Sequence, residues 1–146
     1  MDKFVVIYFL FPKTKEIFYL IKDRPKIPHL HMKHLGFGGR VEEKETWEGA
    51  VIREVKEELD FNLDIKKLIH QGILFDYVRN REIHIFKMYL DKKVFKEGVI
   101  ENEGWGVYKS YTFHKEHPET QVDSNYLVLD RLIKSEEWFT VDFNGK

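Results

Sequence analysis

Residues Phe4 to Phe11 read FVVIYFLF, eight apolar side chains without a break. The run is too short to cross a bilayer, which takes about 20 residues as a helix. No small-residue cleavage site follows it; Pro12 and a charged stretch come next, so it does not read as a signal peptide. What remains is a buried strand, and a buried strand needs partners and covering layers.

The rest of the chain supplies them. Glu16–Lys22 (EIFYLIK) reads as a second strand after the turn Pro12-Lys13-Thr14-Lys15. Asp23 to His34 is irregular, and Leu35–Val41 is rich in glycine. Thr46 is placed to cap a helix reaching about Leu59. Residues 65–77 and 82–90 alternate as strands around a turn near Arg79-Asn80, and Val107–Thr112 is a further candidate strand. Ser124–Ser135 has helical spacing in Tyr126, Leu127, Leu129, Leu132 and Ile133. Strands, helix, strands, helix predict an α+β domain over residues 1–146, a mixed sheet flanked by helices in an αβα sandwich. Hydrophobic residues make up 42% of the chain, with 12 Phe, which is enough for a core.

Charge and cysteine content narrow the chemistry. The net charge is only -1, so no basic excess exists to hold a nucleic-acid polymer. The chain has no Cys, which excludes disulfides, thiolate zinc sites and a thiol nucleophile, and is compatible with a reducing, cytoplasmic setting. No membrane partner is expected, and oligomeric state has no signature.

Residues Gly39 to Phe61 read GRVEEKETWEGAVIREVKEELDF. On a helix, Glu54, Glu57 and Glu58 fall within an arc of roughly 100°. Val51, Ile52, Val55 and Leu59 lie on an adjoining face and can anchor the helix. Carboxylates on one stripe repel unless a cation joins them, and hard divalent cations prefer oxygen ligands. Read alone, such a stripe is also compatible with a solvated acidic face.

The spacing of Gly39, Glu45, Arg53, Glu54, Val55, Glu57, Glu58 and Phe61 resembles the Nudix hydrolase motif. One position departs from it, Asp60 standing where the motif has Gly. The motif Gly follows the helix, where a left-handed residue commonly ends it. Asp tolerates that conformation better than most residues, so a modest stability cost is expected and no ligand atom is lost. The resemblance implies Mg²⁺, or Mn²⁺, held by Glu54, Glu57 and Glu58 with the Gly38 carbonyl. It implies that Arg53 orients the carboxylates and that Glu45 braces Arg53. A further acid from a later loop is expected, with Glu103 as candidate and Glu101 as runner-up. The general base stays open among Glu54, Glu57, Glu58 and Glu103.

The implied reaction is hydrolysis of a phosphoanhydride in a small nucleotide. Residues 36–41, 72–90 and 122–126 look similar to MutT-like enzymes that cleave oxidised purine nucleoside triphosphates such as 8-oxo-dGTP. Gly39 and Arg40 are then expected at the substrate, Asp123 at the purine edge and Phe75 in the base pocket. The plainer readings are a helix cap for Asp123 and a core residue for Phe75. Leu35 departs from that subgroup, which carries a polar residue there. ADP-ribose, dinucleoside polyphosphates and nucleotide sugars remain alternatives, as does a non-catalytic nucleotide-binding module. His29, His31 and His34 fit no zinc signature; with Lys26 and Lys33 they are expected to face phosphates or solvent. His84 is expected to be structural, and Trp105 and Trp138 to pack rather than stack on a base.

Overall fold

A computed structural model describes residues 1–145. The apolar run forms the middle of strand β1 (Asp2–Phe11) and sits near the centre of one mixed sheet. The other strands are β2 (Glu16–Lys22), β3 (His34–Leu35), β4 (Phe37–Arg40), β5 (Ile69–Asp76), β6 (Arg81–Tyr89), β7 (Gly98–Ile100), β8 (Gly104–Ser110) and β9 (Phe139–Phe143). Their order is β7-β8-β2-β1-β6-β5-β9, with β3 on β2 and β4 on β1. β1 runs parallel to β6 and β5 parallel to β9; the remaining pairs are antiparallel.

The helices are α1 (Trp47–Leu59), α2 (Phe113–Glu116) and α3 (Tyr126–Lys134). β1 is apolar throughout its middle because both faces are covered. Val5, Ile7, Phe9 and Phe11 join Ala50, Val51 and Val55 of α1 in one cluster. Tyr8 and Leu10 join Val128, Leu129 and Leu132 of α3 in the other. Two helical layers on one sheet is the expected αβα sandwich. No helix among the described residues is long and apolar enough to cross a membrane.

The edge of β1 divides. Residues Phe9 to Phe11 pair with β2, whereas Phe4 to Ile7 pair with β4. β2 in turn bonds β3 through Leu20 and Ile21. The β1–β2 ladder therefore opens like a fork, and the chain between β3 and β4 enters the gap.

Several expected boundaries shift. Residues 65–67 form a 3₁₀ turn, because the Asp64 carboxylate accepts from the Lys66 N–H at 3.0 Å, and the strand starts only at Ile69. β8 begins at Gly104 rather than Val107, and α3 at Tyr126 rather than Ser124. The glycine-rich stretch holds β3 and β4, while β7, α2 and β9 were not anticipated at all.

Both ends of α1 follow the sequence. Thr46 Oγ1 accepts from the Gly49 N–H at 3.0 Å. Asp60 adopts φ 51°, ψ 40°, and its N–H donates to the Lys56 carbonyl. This left-handed residue does the work of the motif Gly at a steric cost. Asp60→Gly is therefore expected to raise the melting temperature by roughly 1–3 °C and leave turnover unchanged; thermal melts with parallel kinetics check it.

Candidate active site

Gly38 and Gly39 lie on β4 against Val5 and Val6 of β1. Gly38 has φ +152°, a conformation that side-chain-bearing residues avoid. A Cβ on Gly39 would sit 2.5 to 2.9 Å from the Glu54 carboxylate. The absence of that atom lets Glu54 approach the strand. The Gly38 N–H donates to Glu58 Oε1 at 3.0 Å. Strand β4 and the helix are thus joined by the Glu58 hydrogen bond and by the close approach of Glu54.

Arg53 organises the outer side of this junction. Its Nε and Nη2 donate to the two Glu45 oxygens at 2.8 and 2.9 Å, its Nη1 to Glu54 Oε1 at 2.9 Å, and Nη2 also to the Arg40 carbonyl at 3.0 Å. The bidentate pair with Glu45 leaves the guanidinium little freedom. That pairing holds the Glu45 carboxyl below the usual carboxylate range and the guanidinium above its own. Glu57 lies 3.5 Å from Arg53 Nη1 and is largely exposed.

Glu54 and Glu58 point inward into a cleft of about 340 Å³. Burial raises both carboxyls. Glu58 is pushed up to about 9, first by burial and then by Glu103 facing it. Glu103 comes from the β7–β8 turn and meets Lys22 at 3.5 Å and Arg24 at 3.4 Å. Glu58 Oε2 is buried without a hydrogen-bond partner. No three His, Asp or Glu side chains among the described residues already converge as a cage. Even so, an orphaned carboxylate oxygen, two raised carboxyls and a facing third acid form a donor set short of positive charge. Hard oxygen ligands of this kind fit a divalent cation.

The cleft is the mouth of the fork in the sheet. Glu54 and Glu58 reach it from α1 on one face. Asn125, just before α3, reaches it from the other, its Nδ2 donating to the Tyr8 hydroxyl at 3.3 Å. Leu20, Ile27, Leu30, Leu35, Ile83 and Val122 supply apolar wall. Leu35 thus belongs to the lining without offering a hydrogen bond. Arg81 also lines the cleft; its Nη2 donates to Asp76 at 2.9 Å, and its Nε is buried without a partner. Gly39 and Arg40 lie on the wall, Arg40 with its guanidinium over Phe4 and 3.2 Å from Asp2.

Two expected substrate residues lie elsewhere. Asp123 does not line the cleft: Arg79 Nη2 donates to both its oxygens at 3.0 Å. Nor does it cap α3, whose capping position is Asn125. Phe75 stacks on Tyr77 at 6.3 Å, away from the cleft. Asn125 and Arg81 were not singled out from the sequence, being hidden beside Asp123 and at the flank of a turn. His29, His31 and His34 do not line the cleft either. His34 is buried against Tyr19 and Phe113, and burial lowers its imidazole to about 4. Lys33 donates to the Glu119 carbonyl at 2.6 Å. His84 stacks on Trp47 with ring centroids 3.4 Å apart, a packing role.

Comparison with known proteins finds the same fold elsewhere. A MutT protein of Bacillus halodurans superposes with TM-score 0.72 at 17% identity, covering 99% of this chain and 92% of that one. A bifunctional NMN adenylyltransferase/ADP ribose pyrophosphatase of Francisella tularensis, complexed with AMP and a Mn ion, gives 0.71 at 19%, covering 90% and 41%. The dihydroneopterin triphosphate pyrophosphohydrolase of E. coli gives 0.65 at 18%, covering 90% and 94%. At these identities the likeness is one of fold. No curated protein matches the chain. The NUDIX domain model matches residues 2–142, and the chain therefore belongs to the Nudix family of hydrolases.

Proposed function

We propose that the protein hydrolyses a purine nucleoside triphosphate, of the oxidised-guanine type, to nucleoside monophosphate and diphosphate, with Mg²⁺ or Mn²⁺ as cofactor. One observation carries this reading. A single cleft joins the acidic face of α1 to an apolar pocket with hydrogen-bonding groups on the opposite side of the sheet. Phosphates suit the first part and a nucleobase the second.

Glu54, Glu57, Glu58 and Glu103, with the Gly38 carbonyl, are the oxygen donors for the cation. A divalent ion so placed supplies charge neutralisation at the phosphate oxygens and lowers the pKa of a nearby water. Arg53 holds Glu54 against the glycines of β4, which fixes where that charge acts. Lys22 and Arg24, paired with Glu103, bring positive charge to the same wall. In the base pocket the Arg81 Nε–H is a buried donor in want of an acceptor. Guanine and its 8-oxo derivative carry carbonyl acceptors that answer it. The Asn125 amide adds a group able to donate and accept, and takes the part expected of Asp123.

The test is a substrate panel of nucleoside triphosphates, 8-oxo-dGTP, ADP-ribose and dinucleoside polyphosphates with each metal. The expected result is highest kcat/KM for an oxidised guanine triphosphate, lowered about tenfold or more by Asn125→Ala. Preferential turnover of ADP-ribose over every triphosphate overturns the substrate while leaving the reaction class standing.

A further inference from the structure

The mixed sheet ends on one side at β7 and on the other at β9. β7 is three residues long, and shortness is a usual protection of a sheet edge. β9 lacks any such device. Phe139–Phe143 reads FTVDF, five residues without Lys or Pro, in unbroken register with β5. No strand among the described residues pairs with its outer side. The ladder fixes which groups face outward. The Phe143 carbonyl accepts from the Tyr77 N–H at 3.0 Å, so Phe139, Val141 and Phe143 turn their backbone groups toward β5. Thr140 and Asp142 turn theirs to the open side. Their side chains are exposed, whereas Phe139, Val141 and Phe143 pack with the α3 cluster on the other face.

We propose that this edge is covered by β9 of a second copy, paired antiparallel about a twofold axis at Val141, so that one sheet runs through the dimer. A twofold interface must be self-complementary, and β9 is. With Val141 opposite its own copy, Thr140 meets the partner's Asp142 and Asp142 meets the partner's Thr140. Each pair exchanges backbone hydrogen bonds, and the hydroxyl donates to the carboxylate. Phe139 meets the partner's Phe143, which extends the apolar layer beneath α3. All five residues pair and no like charges are opposed. Moving the axis to Asp142 sets that acid against its own copy; moving it to Thr140 carries Asp142 past the start of the partner's strand.

Two exposed aromatic residues support the same axis. Trp138 is 54% exposed and Tyr77 52%. Trp138 precedes β9 on the face of Thr140 and Asp142, edge-on to His70 with ring centroids 5.1 Å apart. The Tyr77 hydroxyl donates to Asp142 at 3.2 Å, on that same face at the opposite end of the strand. The twofold sets Trp138 on one cross-strand row with the partner's Tyr77, at both ends of the interface. Large aromatic side chains so placed extend the contact beyond the strands. The inference does not depend on which nucleotide the cleft takes.

The experiment is analytical ultracentrifugation of wild type, Thr140→Asp, Thr140→Asp/Asp142→Thr and Thr140→Pro, with thermal melts as a control for folding. Wild type is expected to sediment as a dimer at about 50 µM. In Thr140→Asp each new carboxylate opposes the partner's Asp142, twice by symmetry, and the dissociation constant is expected to rise roughly tenfold or more. The double variant exchanges the two residues and is expected to return to within about threefold of wild type. In Thr140→Pro an outward N–H is lost while the ladder to β5 is spared, so this variant is expected to melt near wild type and sediment as a monomer. A wild type that stays monomeric at that concentration or assembles beyond a dimer overturns the inference. So does a Thr140→Asp protein that associates as tightly as wild type, or a double variant that stays dissociated.

Discussion

Glu58→Gln is expected to lower turnover at least about a hundredfold while making the cation-free protein harder to melt. The two effects have one origin. Glu58 Oε1 accepts from the Gly38 N–H, and an amide oxygen can keep that bond. Oε2 is buried with no partner, and the carboxyl is held at about 9 by burial and by Glu103. In the unfolded chain the same group ionises near its ordinary value of 4.5. Between those values the unfolded state releases a proton that the cation-free folded state keeps, so stability falls as pH rises from about 4.5. Glutamine carries no such linkage. The gain should be negligible at pH 4 and reach about 3–6 °C by pH 7.5. The lost charge belongs to the proposed cation site, so the stabilised variant is expected to be the inactive one. Melting curves at the two pH values without divalent metal, beside a phosphate-release assay with it, check both halves. Near-wild-type turnover would remove Glu58 from the metal site.

Asp76→Ala is expected to cost about 3–5 kcal/mol, a fall of roughly 10 °C. Asp76 is completely buried at the end of β5. Its Oδ2 accepts from Arg79 and Arg81 at 2.9 Å each, and its Oδ1 from the N–H groups of Val78 and Arg79 at 3.1 Å each. Burial alone would raise this carboxyl, but the Arg81 and Arg79 hydrogen bonds outweigh it and hold it below its ordinary value. Removing it strands the Arg81 guanidinium and two backbone donors and leaves Arg79 with Asp123 as its remaining carboxylate. Arg81 lines the cleft, so KM should rise with the loss of stability. Asp2→Ala is the matched control. Asp2 pairs with Arg40 at 3.2 Å where both side chains are more than half exposed, and a surface pair of this kind is worth under about 1 kcal/mol. Chemical denaturation of the two variants separates the cases, and equal losses would contradict the buried-network account.

The sequence made some of this legible and hid the rest for physical reasons. α1 was readable because cap, apolar stripe and acidic stripe all lie within one short segment. The left-handed Asp60 followed from knowing what a helix end needs. β4 was obscured because its glycines look like a turn, although here they serve close backbone approach within a ladder. β7 and β9 are short, and their pairing is set by partners distant in the chain. Asp123 was expected at the base because residues 122–126 resemble MutT-like enzymes, which place an acidic residue there. Which of several adjacent polar residues faces inward depends on how the turn lands against Tyr8 and Arg79, a tertiary outcome. Arg81 was missed likewise, since a basic residue after a turn ordinarily faces water.

The forked edge of β1 has a mechanical corollary. A hole that passes between strands touches both hydrophobic halves of the domain, so an occupant acts as a rivet through two layers. Nucleotide binding should therefore protect the helices on either side together, by mass action on the whole domain. Tuning of the pocket can then proceed at its rims, around Asn125 and Leu35, while the ladder that frames it keeps its register.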